Sequence, residues 1–383
     1  MAGNQPHRIA TDEQCIAALK VSGGRIATAA RALGMSRRAL QHRVKSLGRR
    51  GWAPEYDYKH PVPDGFVARG ISTYYDKDGQ PTQQWVKSGL DEARQAELLR
   101  HAIEAMVSDL PKLAPRKAEG KTYLTQLVAG YPIGDAHIGM LAWGEECGED
   151  WDLAIAERVQ CAAMADLVQR APPADKALIV NLGDWLHYDS LAAVTPRSGH
   201  NLDADGRYAK MVRVAIKVIR QCIESALERH RLVHVINAPG NHDETGALWL
   251  SAALAHIYER EPRVSIETTP ALFAYYRHGK VLLGVHHGHS CKPDKLPGVM
   301  ATDRAKDWGE TQHRYWWGGH VHHENRKEYP GCVFESFNTM AAKDAYSANG
   351  GYRAQRNMKC IVLHAEFGEV ARHTVCAAML EAA

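Results

Sequence analysis

The sequence predicts a layered α/β body, a β-sandwich flanked by helices, behind a small all-α head. Three observations carry that expectation. From residue 122 to about 370, apolar runs recur at 123–133, 177–182, 232–236, 281–285 and 315–317, and each is followed by a polar cluster. Helical segments lie between them at 152–170, 207–229 and 247–258. Strands alternating with helices point to a layered α/β domain, and about 260 residues suffice for a two-sheet core. Third, charge is unevenly spread. Residues 1–50 hold ten Lys/Arg and two Asp/Glu, a net +8, whereas the whole chain sums to +3, so residues 51–383 sum to −5. A basic head on a mildly acidic body suggests a nucleic-acid-binding module joined to something else.

Length and composition bound the classes. At 383 residues, two or three domains are expected, and 45% apolar residues is ordinary for a globular protein. The eight cysteines stand at 15, 147, 161, 222, 291, 332, 360 and 376. None forms C-x-x-C, so neither a disulfide framework nor a thiolate zinc knuckle is indicated, and reduced thiols are expected. No apolar run approaches the ~18 residues of a membrane helix, and the N-terminus shows no signal-peptide core. A soluble, cytoplasmic protein is expected.

The head spans residues 1–50. Thr11-Asp12-Glu13 offers an N-cap and an acidic first turn, with apolar residues at 16, 19 and 21 and a stop at Gly23-Gly24. Residues 25–33 form a second short helix ended by Gly34. Ser36 caps a third, R-R-A-L-Q-H-R-V-K-S-L, that stops at Gly48. Ile26, Ala29, Ala30, Leu33, Leu40, Val44 and Leu47 give these helices a common core. The last helix exposes Arg37, Arg38, Gln41, His42 and Lys45. Arg and Lys neutralise phosphates, and Gln and Arg read base edges. Short helix, Gly turn, Ser cap and basic helix is the helix-turn-helix order. Ala29 to Leu40, A-A-R-A-L-G-M-S-R-R-A-L, resembles the Fis-type helix-turn-helix family, which implies DNA or RNA contact and is compatible with a homodimer. A three-helix protein-docking module is the alternative.

Residues 51–120 form a connecting region. Pro54, Pro61 and Pro63 disfavour helix. Residues 66–75 and 82–86 around Asp78-Gly79 predict a β-hairpin. Residues 90–110 predict a helix, with Leu99, Ile103, Met106 and Leu110 on one face, and 111–121 a linker.

The catalytic body is expected over 121–383. The run Val233 to Ile236 ends in a Pro-Gly turn and Gly240-Asn241-His242-Asp243. An apolar run bounded by turn residues reads as a buried strand, with its polar residues in the crevice where open α/β sheets hold ligands. Four further clusters follow the same rule: Gly134-Asp135-Ala136-His137, Gly183-Asp184-Trp185-Leu186-His187, His286-His287-Gly288-His289 and Gly319-His320-Val321-His322-His323. Carboxylates, imidazoles and one amide without thiolate suit Mn²⁺, Fe or Zn²⁺, and Mg²⁺ less well. Seven or more ligands exceed what one tetrahedral ion uses, and two ions about 3.5–4 Å apart use them naturally.

D-x-H, G-D, G-N-H-D, H-G and G-H-x-H in this order resemble the calcineurin-like metallophosphoesterase superfamily, over roughly 260 residues. The resemblance implies that Asp135, His137 and His322 bind a first metal and that Asp184 bridges two. It implies that Asn241, His287 and His320 bind the second, with His286 and His289 competing for the place of His287. His242 would protonate the leaving oxygen or stabilise its charge. G-D-W-L-H and D-A-H-I-G look more like the SbcD-type exonuclease branch than the protein phosphatases, whose second motif reads G-D-x-x-D-R. His187 is then expected to assist His242. A head before such a core also resembles metallophosphoesterases of phages and prophages. The expected function is a dinuclear-metal phosphodiesterase, a DNA nuclease. A hydrolase of small nucleotides and a DNA-binding regulator with a non-catalytic metal domain stand as alternatives. Four smaller readings accompany these. Trp316 or Trp317 could stack on a base, and Arg197 or His200 could meet a phosphate. Asp203 and Asp205 cap the helix at 207. Asp243 and Glu244 hold His242 or cap the next helix.

Overall fold

The computed structural model describes residues 10–49, 52, 62, 66–75, 81–91, 122–196 and 199–381. The chain divides into two compact units, Met1–Ala102 and Ile103–Ala383.

In the first unit, α1 (Asp12–Val21), α2 (Ile26–Ala32) and α3 (Arg37–Arg49) bury Cys15, Leu19, Ala29, Ala30 and Leu40. Thr11 and Gln14 form a reciprocal capping box at α1, and Ser36 Oγ accepts the Ala39 amide (3.2 Å) at α3. The turn between α2 and α3 needs a left-handed residue, which Gly34 supplies (φ +65°). Two expectations shift. Val21 is exposed and Cys15 takes its place in the core, because the buried stripe of α1 follows positions 15 and 19. α3 continues past Gly48 to Arg49. Arg37, Arg38, Gln41, His42 and Lys45 are all exposed. β1 (Phe66–Tyr75) and β2 (Pro81–Leu90) pair antiparallel as expected. The Asp78-Gly79 turn, the predicted 90–110 helix beyond residue 91 and the 111–121 linker lie outside the described residues.

The second unit is a two-sheet sandwich. A six-stranded sheet is built from β3 (Leu124–Ile133), β4 (Ala174–Asn181), β5 (Leu232–Asn237), β6 (Val264–Ile266), β12 (Asn357–His364) and β13 (Gly368–Cys376), in the order β13-β12-β3-β4-β5-β6. A five-stranded sheet contains β7 (Ala274–His278), β8 (Val281–Val285), β9 (His313–Gly318), β10 (Asn325–Tyr329) and β11 (Cys332–Ser336), in the order β10-β11-β9-β8-β7. Val128, Leu178, Val180, Ile236, Leu283 and Trp317 interdigitate between the sheets. The helix Leu296–Asp303 supplies Leu296 and Met300 to a second cluster with Trp316 and Phe334. Helices Leu153–Arg170, Tyr208–Arg229 and Glu244–Ile257 pack on the six-stranded sheet. Arg372 of β13 bonds Glu335 of β11 (2.9 Å), tying one sheet to the other. No helix among the described residues is long and apolar enough to cross a membrane.

What positions the site is the parallel core of each sheet. β3, β4 and β5 run parallel, as do β8 and β9. Their carboxyl ends carry the five polar clusters, where a crevice opens beyond the last ladder bonds.

Candidate metal centre

The first two motif loops are stitched together by backbone bonds. His137 N donates to Asp184 O (2.9 Å), Ile138 N to Trp185 O (2.9 Å) and His187 N to Ile138 O (3.0 Å). Asp243 ties in the third. One oxygen accepts from Asp184 N (3.1 Å) and Gly240 N (3.0 Å), the other from Leu186 N (3.1 Å). It is fully buried, and burial first, then the Asp184 charge, push its carboxyl up to about 7. Among the readings of Asp243 in the sequence, neither a grip on His242 nor a side-chain cap is what forms. Its position in G-N-H-D marked it, but only the fold shows which loops it joins. Asp135 accepts the His320 amide on both oxygens (2.9 and 3.0 Å), joining the first loop to the fifth.

Glycine in these motifs follows from crowding. A Cβ at Gly240 would strike the Asp184 carboxylate and amide, and one at Gly319 would strike the Asp135 carboxylate. The carboxylates therefore sit against bare backbone.

Donor atoms gather in adjoining groups. Asp135, His137 and His322 form one, and Asp184, His287 and His320 another, each within 4.8 Å. His137 Nε2 stands 3.2 Å from His322 Nε2, and His322 Nε2 3.4 Å from Asp135 Oδ1. His287 Nε2 faces Asn241 Oδ1 at 3.1 Å, Asp184 Oδ2 at 3.2 Å and Asp135 Oδ1 at 4.0 Å. Of the three histidines competing at motif four, His287 is the one in contact with the carboxylates. His286 instead stacks on Phe273 and meets Ser290 Oγ (3.0 Å), and His289 lies 3.8 Å from Glu244.

These donors fit divalent cations, and two observations say so. His287 Nδ1–H donates to the Leu182 carbonyl (2.8 Å), so the nitrogen turned to the oxygens of Asn241, Asp184 and Asp135 is Nε2, the one a cation would take. Acceptors converging on that nitrogen call for positive charge among them, which a proton on the ring supplies in the cation's place. Burial alone would lower the His287 pKa, but the Asp184 carboxylate and its hydrogen bond outweigh it and raise it to about 10. Burial likewise pushes Asp184 up, and His287 overrides it and holds the carboxyl well below its usual range. The second observation is backbone strain. Among the described residues, the non-glycine positions with positive φ are Asp135 (37°), His137 (42°), Asp184 (52°), His320 (71°) and His322 (54°). Each belongs to the donor groups. Such conformations cost on the order of 1–3 kcal/mol apiece and persist where the surroundings over-determine them. Here the strain aims side chains at a common point.

A third group, His137, His187 and His242, adjoins the first. His187 Nδ1 lies 3.3 Å from His137 Nδ1. Burial, then the neighbouring His242 charge, lowers His187 to about 3 and His137 well below its ordinary value. The tie from His187 to His242 runs through the backbone: His242 Nδ1 donates to the His187 carbonyl (2.8 Å), and the rings stack 5.6 Å apart.

Other candidates go elsewhere. Trp316 and Trp317 are both buried, so neither ring is available to a base. Asp205 accepts the Leu153 amide (3.0 Å), and the helix at 208 begins without a side-chain cap, because Asp203 and Asp205 lie in the strand-like loop that pairs with 139–141. His200 is exposed, and Arg197 lies outside the described residues.

Comparison with known proteins gives two family matches. Residues 13–47 match the bacterial regulatory protein Fis family, and residues 133–360 match calcineurin-like phosphoesterases, more than half of the chain. No curated protein matches. Several solved structures are distantly similar. One is a predicted phosphoesterase from Streptococcus pneumoniae, 11% identical, covering 66% of this chain and 99% of that one at a TM-score of 0.26. Another is Vps29 complexed with Zn²⁺ from Entamoeba histolytica, 12% identical, covering 65% and 99% at 0.25. PhoD is 9% identical, covering 67% and 70% at 0.30. Likenesses this remote add nothing to the assignment, which stands on the matched residues and the strand-end clusters they contain: the chain belongs to the calcineurin-like phosphoesterase family.

Proposed function

We propose that this protein is a dinuclear-metal phosphodiesterase that cleaves DNA. In this reading Asp135, His137 and His322 hold one cation and Asn241, His287 and His320 the other, with Asp184 between them. The strain at five of these residues is the observation that supports it best, since strained backbone without a ligand would be costly to keep. Mn²⁺ is the expected metal, with Fe, Zn²⁺ or Mg²⁺ as the alternatives. When bound, the cations supply Lewis acidity toward water and the phosphoryl oxygens.

The chain's own residues do the rest. His242 spends Nδ1–H on the His187 carbonyl, so Nε2 is the nitrogen left to meet the leaving oxygen, and the doubly protonated ring gives its proton from there. His187 acts at one remove. Its ring meets His137 Nδ1 (3.3 Å), and its carbonyl orients His242. The crowded Gly240 and Gly319 backbones keep the carboxylates from swinging away.

The substrate assignment draws on the head. A Fis-type helix-turn-helix suggests DNA binding, and α3 exposes Arg37, Arg38, Gln41, His42 and Lys45. The G-D-W-L-H motif, with His187 where protein phosphatases carry Asp, favours the SbcD-like nuclease branch. A homodimer and a cytoplasmic, phage-related setting belong to the same reading.

The test is Mn²⁺-dependent cleavage of linear duplex, circular single-stranded DNA and an aryl phosphodiester. Native protein is run beside Asp184→Asn and an Arg38→Ala/Lys45→Ala pair. DNA cleavage lost in Asp184→Asn and weakened, with a shallower salt dependence, in the head variant supports a nuclease. Hydrolysis of the small ester alone would move the substrate to a nucleotide-like molecule. No hydrolysis in metal-loaded protein would leave a DNA-binding regulator.

A further inference from the structure

The helix Glu244–Ile257 starts directly after the motif-three loop, and its first turn is capped from outside. Asp243 occupies the N-cap position, where an aspartate ordinarily accepts an amide from the first turn. Its two oxygens are instead committed to Gly240 N, Asp184 N and Leu186 N. Asp189, from the loop after motif two, takes over the cap. Its Oδ2 accepts the Thr245 amide (2.5 Å), 56 residues along the chain. Its Oδ1 lies over Gly246, where a Cβ would come within 3.2 Å of it and 2.9 Å of Leu186 Cδ1. Glycine at 246 therefore lets the carboxyl group reach the helix end. Asp189 is itself buried, and the next ring in the chain, Tyr188, is buried against Tyr208 with centroids 5.7 Å apart. The carboxyl group is rooted in the interior of the unit.

Two contacts thus join the same two segments. The His187 carbonyl accepts from His242 Nδ1 (2.8 Å), and two residues on, Asp189 accepts from Thr245, three residues after His242. The His242 amide also donates to Asp184 Oδ1 (2.8 Å). A ring held at one nitrogen by one carbonyl can pivot about that bond. A second point, at the start of the helix that follows, fixes the backbone from which the ring hangs. The other nitrogen, Nε2, is then left with one direction to face.

We propose that Asp189 is a positioning residue for His242, clamping the start of this helix so that Nε2 stays aligned with the leaving oxygen. The proposal rests on the phosphodiesterase reading above and gives a role to a residue outside the five polar clusters. The rest of the helix does not depend on the clamp. Trp249, Leu250, Leu254 and Ile257 are buried along its inner face. Asp189→Ala should therefore free the first turn and leave the fold intact.

The test uses full-length protein with Mn²⁺ and the phenyl and p-nitrophenyl esters of thymidine 5′-phosphate. Phenolate is a poor leaving group that needs a proton, and p-nitrophenolate departs without one. Asp189→Ala should lower kcat for the phenyl ester by about 10- to 100-fold, since a misplacement of about 1 Å costs up to ~10²-fold. KM and bound Mn²⁺ should be unchanged, and the p-nitrophenyl ester should lose far less. Asp189→Asn, whose amide oxygen can still accept the Thr245 amide, should show the same selective loss in smaller measure. In a His242→Ala background, adding Asp189→Ala should change phenyl-ester turnover by no more than about twofold, because the group it positions is already gone. In metal-free protein, hydrogen exchange should rise in Asp189→Ala at residues 244–250 and stay native at 253–257. Equal losses on both esters in either variant, loss of Mn²⁺, or a full drop in the His242→Ala background would each overturn the clamp. Native exchange at 244–250 beside full turnover of both esters removes the clamp and leaves the phosphodiesterase. Raised exchange in a protein whose native form turns over neither ester removes the phosphodiesterase, and with it the catalytic role of the clamp.

Discussion

His230 and His287 are equally buried, yet the fold treats them in opposite ways. His230 precedes β5, at the amino end of the strands. Its Nε2 meets the Tyr131 hydroxyl (2.7 Å) and its Nδ1 the Ala174 carbonyl (2.9 Å). Burial, partly offset by the carbonyl, lowers its pKa to about 4. His287 follows β8, at the carboxyl end. There burial is overridden by Asp184, and the pKa rises to about 10. Burial disfavours the charged form in both, so the neighbours decide. The same polarity runs through the unit. At the amino end Arg231 and Asp175 close on each other through two bonds (2.6 and 2.8 Å). At the carboxyl end imidazoles and carboxylates converge on one another, and the backbone is strained to hold them there. One end is finished by its own hydrogen bonds, and the other gathers donors that could hold metal ions.

The contrast breaks most sharply at Asp184. Asp184→Asn keeps the volume and removes the charge that holds His287 and joins the two groups. Hydrolysis of an aryl phosphodiester should drop by about 10³-fold or more. Far-ultraviolet circular dichroism should stay native. Near-native activity would mean that the carboxyl end is only structural. His242→Ala should come next, lowering kcat by about 10²-fold with bound metal unchanged, as for loss of a general acid. Loss of metal together with activity would instead make His242 a ligand.

At the amino end the effect is on stability. The folded pKa of His230 lies below the unfolded value of about 6.5, so the folded state binds fewer protons between them. Its contribution is fully present above about pH 6.5 and is lost as pH falls toward 4. Urea unfolding of native protein should lose about 3 kcal/mol more than His230→Gln between pH 7 and 4. Parallel losses in the two proteins would show that His230 does not titrate this way. The smallest effect distinguishes the ends by ligand. Mn²⁺ at 100 times its Kd should stabilise the fold by about 2.7 kcal/mol, a shift that His230→Gln keeps and His322→Ala diminishes. An equal shift in His322→Ala would place the bound ion elsewhere.

Much of this was legible in the chain because it is local. Apolar runs broken by turn residues marked the strands at 124–133, 174–181, 232–237, 281–285 and 313–318 to within a few residues. The five clusters stood out because each follows such a run. What was not legible depends on atoms far apart in sequence. Asp243 reads as an ordinary helix-start acid until its carboxylate is seen bonding Asp184, Leu186 and Gly240. Trp316 and Trp317 precede a polar motif and seem available, but facing clusters bury one ring on each side of the sheet. Asp205 stands where a cap is expected for the following helix, and it serves the Leu153 amide 52 residues away instead.

The sequence by itself determined the order and type of the elements, the basic head and the identity of the donors, since periodicity, capping and residue chemistry act over a few positions. Tertiary structure alone decided which histidine of motif four meets the carboxylates and which five residues bear the strain. Those outcomes belong to the meeting of two sheets. Hydrogen bonds and charges from loops as much as 185 residues apart settle each contact and each dihedral together.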